Sequence, residues 1–381
     1  MKISWGEFRA VLNDRTINRL LDRSLLPFAR GEKPENRDDF LKNLYNDVMT
    51  RKYFPSLPRG YIVLDKHNGV ARIVPVFDYP DMCVYYFCVK EIEQYIAINR
   101  VQGTFGGWTM GNPFRIQENA ERAPEPKVLK TVGHEDQNFE YFFVAAIEPE
   151  RWAKKFREYQ GRAYEWSRSE NLTCFLKFDI ANFYDAINLD ILERKIRAAV
   201  PLDKYQVVDL LFVFFRNWNR GYEGYASKAV GIPQNDAGDC SRMIANFYLL
   251  DYDDFILRKC LQTSGESRYL RYADDQFIMT ETSRDARQIL FDASRELHKI
   301  GLNINSGKVI EFSSRDAYNY YWAFDMTQLI NSDELDEVNA GVKQFVERTK
   351  TDGWDSLERA WRGTMVLNRL LNVAMDRISK D

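Results

Sequence analysis

The sequence predicts an α+β fold, a sheet of short strands with helices packed on one face. Two kinds of segment point to it. Short apolar runs, Cys174-Phe175-Leu176-Lys177-Phe178 and the pair around Tyr269-Leu270 and Phe277-Ile278-Met279, read as strands. The stretches after Asn188, from Ser241 to Leu257 and from Ser283 to Ile300 read as helices. The size supports this: 381 residues, 45% hydrophobic and 29% charged, are enough for two or three packed units and ordinary for a globular protein.

Residues 1–60 form a helical segment, because Phe8, Leu12, Ile17, Leu20, Leu21 and Leu25, then Phe40, Leu41, Leu44, Tyr45 and Val48, recur at three- and four-residue spacings. Asn36-Arg37-Asp38-Asp39 offers a helix start, and Pro55 and Pro58 break the chain. Tyr61-Ile62-Val63-Leu64 and Ala71-Arg72-Ile73-Val74 flank Asn68-Gly69, a strong hairpin signal. The hairpin presents Lys66 and Arg72, an ammonium and a guanidinium suited either to gripping a triphosphate or to blunting a solvated edge. A long helix follows over 78–98. The glycine-rich residues 102–113 are no phosphate-binding loop, since no Gly-Lys-Ser/Thr follows. Residues 123–126 read as a loop and 139–147 as a strand.

Between 149 and 169, Arg151, Lys154, Lys155, Arg157, Arg162 and Arg168 are interleaved with Trp152, Phe156, Tyr159, Tyr164 and Trp166. Basic residues among aromatics suit a single-stranded nucleic-acid groove. An amphipathic helix with a solvated face, diluted by Glu150, Glu158, Glu165 and Glu170, is the other reading. The segment after Leu329 is helical in pattern.

The chemistry concentrates at Arg271-Tyr272-Ala273-Asp274-Asp275-Gln276, where a polar centre between apolar flanks predicts two strands joined by a tight turn. Two neighbouring carboxylates call for a cation, and Mg²⁺ prefers carboxylates together with phosphate oxygens. Upstream, a buried strand delivers Asp179 at its C-terminal end. Brought beside Asp274 and Asp275, it would complete a two-metal site for in-line phosphoryl transfer. Between them, Gly231-Ile232-Pro233-Gln234 leads to the helix from Ser241.

Phe178-Asp179-Ile180 with Phe183-Tyr184, then Gly231-Ile232-Pro233-Gln234 with Ser241, Ala245-Asn246 and Tyr248-Leu249, then Tyr272-Ala273-Asp274-Asp275, resemble motifs A, B and C of reverse transcriptases. Residues 301–308, ending in Lys308, resemble motif D, and 66–75 resemble the fingers hairpin. The resemblance spans about residues 61–324, and four motifs in the right order make it specific. It implies a right-hand polymerase fold: a helical N-terminal segment (1–60), fingers with an insertion (61–171), a palm (172–325) and a short helical C-terminal segment standing as a reduced or replaced thumb (326–381). It also implies a primer grip at the aromatic run 320–324. Gly106-Gly107-Trp108 is similar to bacterial defence-associated, abortive-infection reverse transcriptases. Ser241 follows Gln234 by seven residues, where group II intron enzymes have five, which bears on template use.

The resemblance carries roles with it. Asp179, Asp274 and Asp275 are the catalytic carboxylates. With the Ile180 carbonyl they would hold two Mg²⁺ ions, for which Mn²⁺ can substitute. Lys66, Arg72, Tyr184, Gln234 and Lys308 are the nucleotide-binding candidates. Tyr184 would exclude a 2′-hydroxyl, although strand alternation admits only one of Phe183 and Tyr184, and a core aromatic is the alternative. Lys308 would serve the leaving pyrophosphate, or is simply a surface lysine. Trp152, Lys154, Lys155 and Arg157 are the nucleic-acid candidates.

The activity implied is an RNA-directed DNA polymerase adding dNTPs to a 3′ or protein hydroxyl, in anti-phage defence, with an RNA template, a dedicated non-coding RNA and a DNA product. An RNA-binding scaffold of polymerase fold, and a template-independent nucleotidyltransferase, are the alternatives. Homo-oligomerisation and a partner protein stay open.

The net charge of −3 runs against the basic footprint usual for nucleic-acid binders, so any binding groove must be local. Five cysteines without a Cys-x-x-Cys pair, and only three histidines, give no zinc pattern and read as reduced thiols in the cytoplasm. No apolar run is long enough to span a membrane, the N-terminus lacks a signal-peptide core, and no second acidic cluster suggests an RNase H site.

Overall fold

The structure, a computed structural model, describes residues 3–22, 34, 36–66, 70–97, 100–107, 110, 152–220, 227–234, 240–312, 314–353 and 367. The N-terminal segment is helical as expected: α1 (Trp5–Val11), α2 (Asp14–Asp22) and α3 (Arg37–Met49). Asn36 caps α3 by accepting from the amides of Asp38 and Asp39, which satisfies two otherwise orphaned donors. Strands β1 (Gly60–Lys66) and β2 (Val70–Val76) pair antiparallel as a separate two-stranded sheet. The expected turn at 67–69 lies outside the described residues.

Asp78 then caps α4 (Tyr79–Ile96), a helix buried on nearly every side although it carries Asp81, Lys90, Glu91 and Glu93. Buried charges need partners, and these have them. Lys90 pairs with Glu93, Lys204 reaches Glu91 at 2.6 Å, and the Tyr53 hydroxyl donates to Asp81 at 2.8 Å.

A five-stranded sheet forms the centre. Its strands are β3 (Thr104–Phe105), β4 (Cys174–Asp179), β5 (Ser267–Tyr272), β6 (Asp275–Thr280) and β7 (Ile310–Phe312), ordered β3-β5-β6-β4-β7. All neighbours are antiparallel except β3 and β5. Strand β3 comes from the glycine-rich stretch. Gly103 has φ 81° and a Cβ there would lie 2.3 Å from the Tyr269 carbonyl oxygen, so only glycine lets this edge approach β5. The loop expected at 123–126 and the strand at 139–147 lie outside the described residues.

Helices cover both faces of the sheet, a correction to the one-faced expectation. Cys174, Leu176, Phe178 and Ile278 point into a large core shared with α4 and with α7 (Leu189–Ala199), α8 (Tyr205–Asn217), α9 (Cys240–Tyr248), α10 (Leu250–Leu261) and α11 (Ser283–Lys299). Phe175, Phe277 and Met279 point into an aromatic cluster with Tyr159 of α5 (Trp152–Ser167) and Tyr318 and Trp322 of α12 (Arg315–Trp322). Central strands that are apolar on both faces must be covered on both. The basic-aromatic stretch therefore has a structural inner side: Tyr159 and Ala163 are fully buried core residues.

Two further expectations change in detail. The helix read over 241–257 is two, α9 and α10, meeting at Leu249. The aromatic run 320–324 is helical, with Ala323 in the left-handed region (φ 55°) joining α12 to α13 (Phe324–Ile330). Trp322 and Phe324 stack inside the aromatic cluster, with ring centroids 5.8 Å apart. The chain continues through α14 (Leu335–Thr351). Among the described residues, no helix is long and apolar enough to cross a membrane.

Candidate functional site

Strand pairing brings the three carboxylates to neighbouring positions. Asp179, the last residue of β4, stands opposite Asp275, the first of β6. Tyr272 closes the hairpin opposite Asp275, so Ala273 and Asp274 form its two-residue turn. Ala273 is left-handed (φ 55°), a conformation that costs an L-residue with a Cβ roughly 1–2 kcal/mol. The turn is held from two sides. The Ile180 amide donates to the Asp274 carbonyl at 3.3 Å, and Arg271 Nη1 donates to the Ala273 carbonyl at 2.8 Å.

A second segment crosses the end of β4. The Asn305 amide donates to the Asp179 carbonyl and the Ala181 amide to the Asn303 carbonyl, both at 2.8 Å. This delivers the short helical turn Ser306–Lys308, from which Lys308 Nζ donates to Asp179 Oδ2 at 2.6 Å. The other oxygen, Oδ1, is buried without a hydrogen-bond partner among the described residues.

Lys177, which the sequence reading passed over, lies two residues before Asp179 and therefore on the same face of β4. Its Nζ donates to Asp275 Oδ1 at 2.5 Å. Burial works against this ammonium, but Asp275, Tyr321 and Asp179 hold its pKa above the ordinary lysine value. The Asp274 pKa also rises, which for a carboxyl disfavours the charged form: burial, then the like charges of Asp275 and Asp179, push it up to about 6.

These are oxygen donors of the kind hard divalent cations take. The crowded like charges and the orphaned Oδ1 of Asp179 fit such an ion. Among the described residues, however, no three His, Cys, Asp or Glu side chains are arranged to hold a metal as they stand. The carboxylates of Asp179 and Asp275 are each turned to a lysine.

Beside the turn lies a cavity of about 180 Å³, lined among others by Gly107, Phe183, Tyr184, Arg242, Asn246 and Ala273. Both members of the aromatic pair line it. Residues Phe183–Ala186 are a short helix, α6, so the strand alternation that would admit only one ring does not operate. Gln234 is not among the lining residues; its Nε2 donates to Asp185 Oδ2 at 3.2 Å. Its loop braces Tyr184 from behind, with the Ile232 amide on the Tyr184 carbonyl at 2.9 Å. Ser241 is buried and joins this loop to the core, contacting the Pro233 carbonyl at 2.6 Å and the Tyr85 hydroxyl at 2.8 Å. The insertion at 235–239 lies outside the described residues.

The remaining candidates do not join this cluster in the described residues. Arg72 is exposed on β2, opposite Leu64. Lys66 ends β1, and its side chain lies outside the described residues. The side chains of Trp152, Lys154, Lys155 and Arg157 likewise lie outside them, although the backbone there is helical. Besides Lys177, sequence reasoning missed Asn246 and Arg242 as cavity residues. The two-residue spacing from Lys177 to Asp179 was a usable signal, and Asn246 stood in the quoted motif B without being given a role; nothing local marked Arg242.

Residues 127–329, more than half of the chain, match the family model described as reverse transcriptase (RNA-dependent DNA polymerase). No curated protein matches. Solved structures that resemble the chain include apo telomerase from Candida tropicalis truncated from its C-terminal domain, at 13% identity over 74% of this chain and 58% of that one, TM-score 0.37. Apo telomerase from the same organism matches at 11% identity over 81% and 49%, TM-score 0.38. Telomerase from Candida albicans in complex with a TWJ fragment of telomeric RNA matches at 10% identity over 84% and 58%, TM-score 0.43. The chain thus spans 49% to 58% of the length of these structures.

Proposed function

Because this chain belongs to the reverse transcriptase family, we propose that it is an RNA-directed DNA polymerase that adds dNTPs to a hydroxyl primer. The observation that carries the reading is the pairing of Asp179 with Asp275 across β4 and β6, with Asp274 on the adjoining turn. Three carboxylates converging at one end of the central strands are difficult to account for by folding alone, since like charges raise the energy of the empty site.

Asp179 and Asp274, with the Ile180 carbonyl and Asp275, would hold two divalent ions, Mg²⁺ or Mn²⁺. Such ions, when bound, stabilise the attacking oxygen and the leaving pyrophosphate. Lys308, 62% exposed beside Asp179, would pair with the pyrophosphate. Tyr184 in the cavity would contact the incoming sugar, and Gln234 would hold the loop behind it. Lys66 and Arg72 on the fingers hairpin would take the triphosphate. Trp152, Lys154, Lys155 and Arg157 on the helix Trp152–Ser167 would take the template or product strand.

The domain division at 60, 171 and 325 goes with this reading. So does a role in bacterial anti-phage defence with a non-coding RNA, which is supported only by the Gly106-Gly107-Trp108 resemblance. The second reading, an RNA-binding scaffold that does not need catalysis, draws on the two lysines that neutralise Asp179 and Asp275.

One experiment separates the two. Purified protein is incubated with dNTPs and Mg²⁺ or Mn²⁺ on RNA templates, including the nucleic acid that copurifies with it, and the products are sequenced. DNA complementary to an RNA template supports the polymerase. RNA that copurifies with folded protein, with no incorporation under either ion, supports the scaffold.

A further inference from the structure

We infer that Arg271, clamped by Asp253 and Asn246, is a positioning residue that sets both the turn carrying Asp274 and the wall of the adjoining cavity. The inference rests on the polymerase reading above. Arg271 and Asp253 are wholly buried. Nε and Nη2 of Arg271 reach the two oxygens of Asp253 at 2.7 and 2.6 Å, a bidentate pair. Nη1 is divided between the Ala273 carbonyl and Asn246 Oδ1, both at 2.8 Å.

Each of these contacts leads somewhere functional. The Ala273 carbonyl belongs to the peptide that enters Asp274, in a turn whose left-handed residue lacks the freedom of glycine. Asn246, on α9, uses its other end to donate to the Gly107 carbonyl at 3.0 Å. A Cβ on Gly106 would lie only 3.3 Å from Asn246 Nδ2, so the loop is drawn tightly onto this amide. One guanidinium therefore links the catalytic turn, the helix α9 and the glycine wall. The carboxylate that holds it is itself oriented, because the Tyr269 hydroxyl donates to Asp253 Oδ1 at 2.9 Å.

Stability alone is a poor reason for this arrangement. Apolar residues of similar volume often replace a buried ion pair without loss. What an apolar substitute cannot do is hold a carbonyl and an amide at fixed places.

Asn246→Ala tests the inference, since it cuts the link to Gly107 and one of the Arg271 contacts while leaving the Arg271–Asp253 pair whole. Asn246→Asp is the companion: it retains the acceptor for Arg271 and sets a carboxylate oxygen against the Gly107 carbonyl in place of the donor. Measured are the kcat and KM for dNTP incorporation, the melting temperature, and hydrogen exchange of the peptides covering 104–107 and 272–275. Expected for Asn246→Ala is a folded protein with faster exchange in both peptides and a kcat lower by about 10–100-fold, the scale of a displaced catalytic group. Asn246→Asp should recover most of kcat and show its defect in KM. A folded Asn246→Ala with parental kcat, KM and exchange overturns the inference alone. So does a kcat loss that merely follows the unfolded fraction and that Asn246→Asp fails to restore. A wild-type protein inert with either ion on every template overturns the polymerase reading, and this inference with it.

Discussion

Lys308 donates to Asp179 across 2.6 Å and 129 residues of chain, and it does so from an exposed position onto a carboxylate that is 7% exposed. A cation at Asp179 would compete with this ammonium for Oδ2, while Oδ1 has no hydrogen-bond partner among the described residues. Lys177 stands to Asp275 as Lys308 stands to Asp179, but from inside the aromatic face of the sheet.

The first prediction concerns the carboxylates themselves. Asp179→Asn and Asp274→Asn should each lower Mg²⁺-dependent dNTP incorporation by roughly 10²–10³-fold or more, the scale seen when one transition-state-stabilising group is lost. Both should fold. Asp274→Asn should melt at or above the parental temperature in EDTA, because it relieves the repulsion from Asp275 and Asp179. Parental rates in both folded variants would show that the catalytic assignment is wrong.

Lys177→Met tests the inner ion pair. The lysine is mostly buried while Asp275 keeps about half its exposure, so the stranded carboxylate can still be hydrated. The cost in EDTA should be about 1 kcal/mol, nearer that of an exposed pair than a buried one. With a positive charge removed, apparent Mn²⁺ affinity should rise. Melting curves with EDTA and with graded Mn²⁺ read both effects; weaker Mn²⁺ binding would mean that Lys177 helps to shape the ion site.

Tyr184→Ala should relax sugar discrimination. Tyr184 lines the cavity beside the Ala273 turn, and removing its ring opens space for a 2′-hydroxyl. The ratio of kcat/KM for dNTP over rNTP should fall by roughly 10-fold or more, the range a shape-based pocket contact supplies. If the ratio holds, Phe183→Ala is the next variant to compare, since both rings line the cavity.

Asp81 should give stability a pH dependence away from the carboxylate site. Burial pushes its pKa up to about 6, with Asp78 adding to the rise and Tyr53, Ser56 and Arg220 opposing it. The folded state therefore binds the proton more tightly than the unfolded chain. Stability contributed by this group is present at about pH 4 and is lost as pH rises through about 6. Asp81→Asn should flatten the decline. Urea unfolding from pH 4.5 to 7 measures it, and an unchanged slope in the variant would assign the dependence to other groups.

The sequence by itself determined most of the helices, the β1–β2 pair and the strands that carry the carboxylates. The helix starts at Asn36, Asp78 and Asn188, the two strands flanking Asn68-Gly69 and the turn at Ala273-Asp274 were all legible, because helix starts, turns and apolar periodicity are encoded within a few neighbouring residues. The same holds for Asp179 at the end of a buried strand. Only the tertiary structure decided how these pieces meet. The Asp179–Asp275 register, the covering of both sheet faces and the role of the glycine-rich stretch as an edge strand depend on strands paired across long separations. Lys177 finds Asp275 across 98 residues and Lys308 finds Asp179 across 129, and Arg271 gathers Asp253, Asn246 and Ala273 from a helix pair and a turn. A side chain's charge partner is set by which strand end lies next to its own, and local sequence carries no information about that distance.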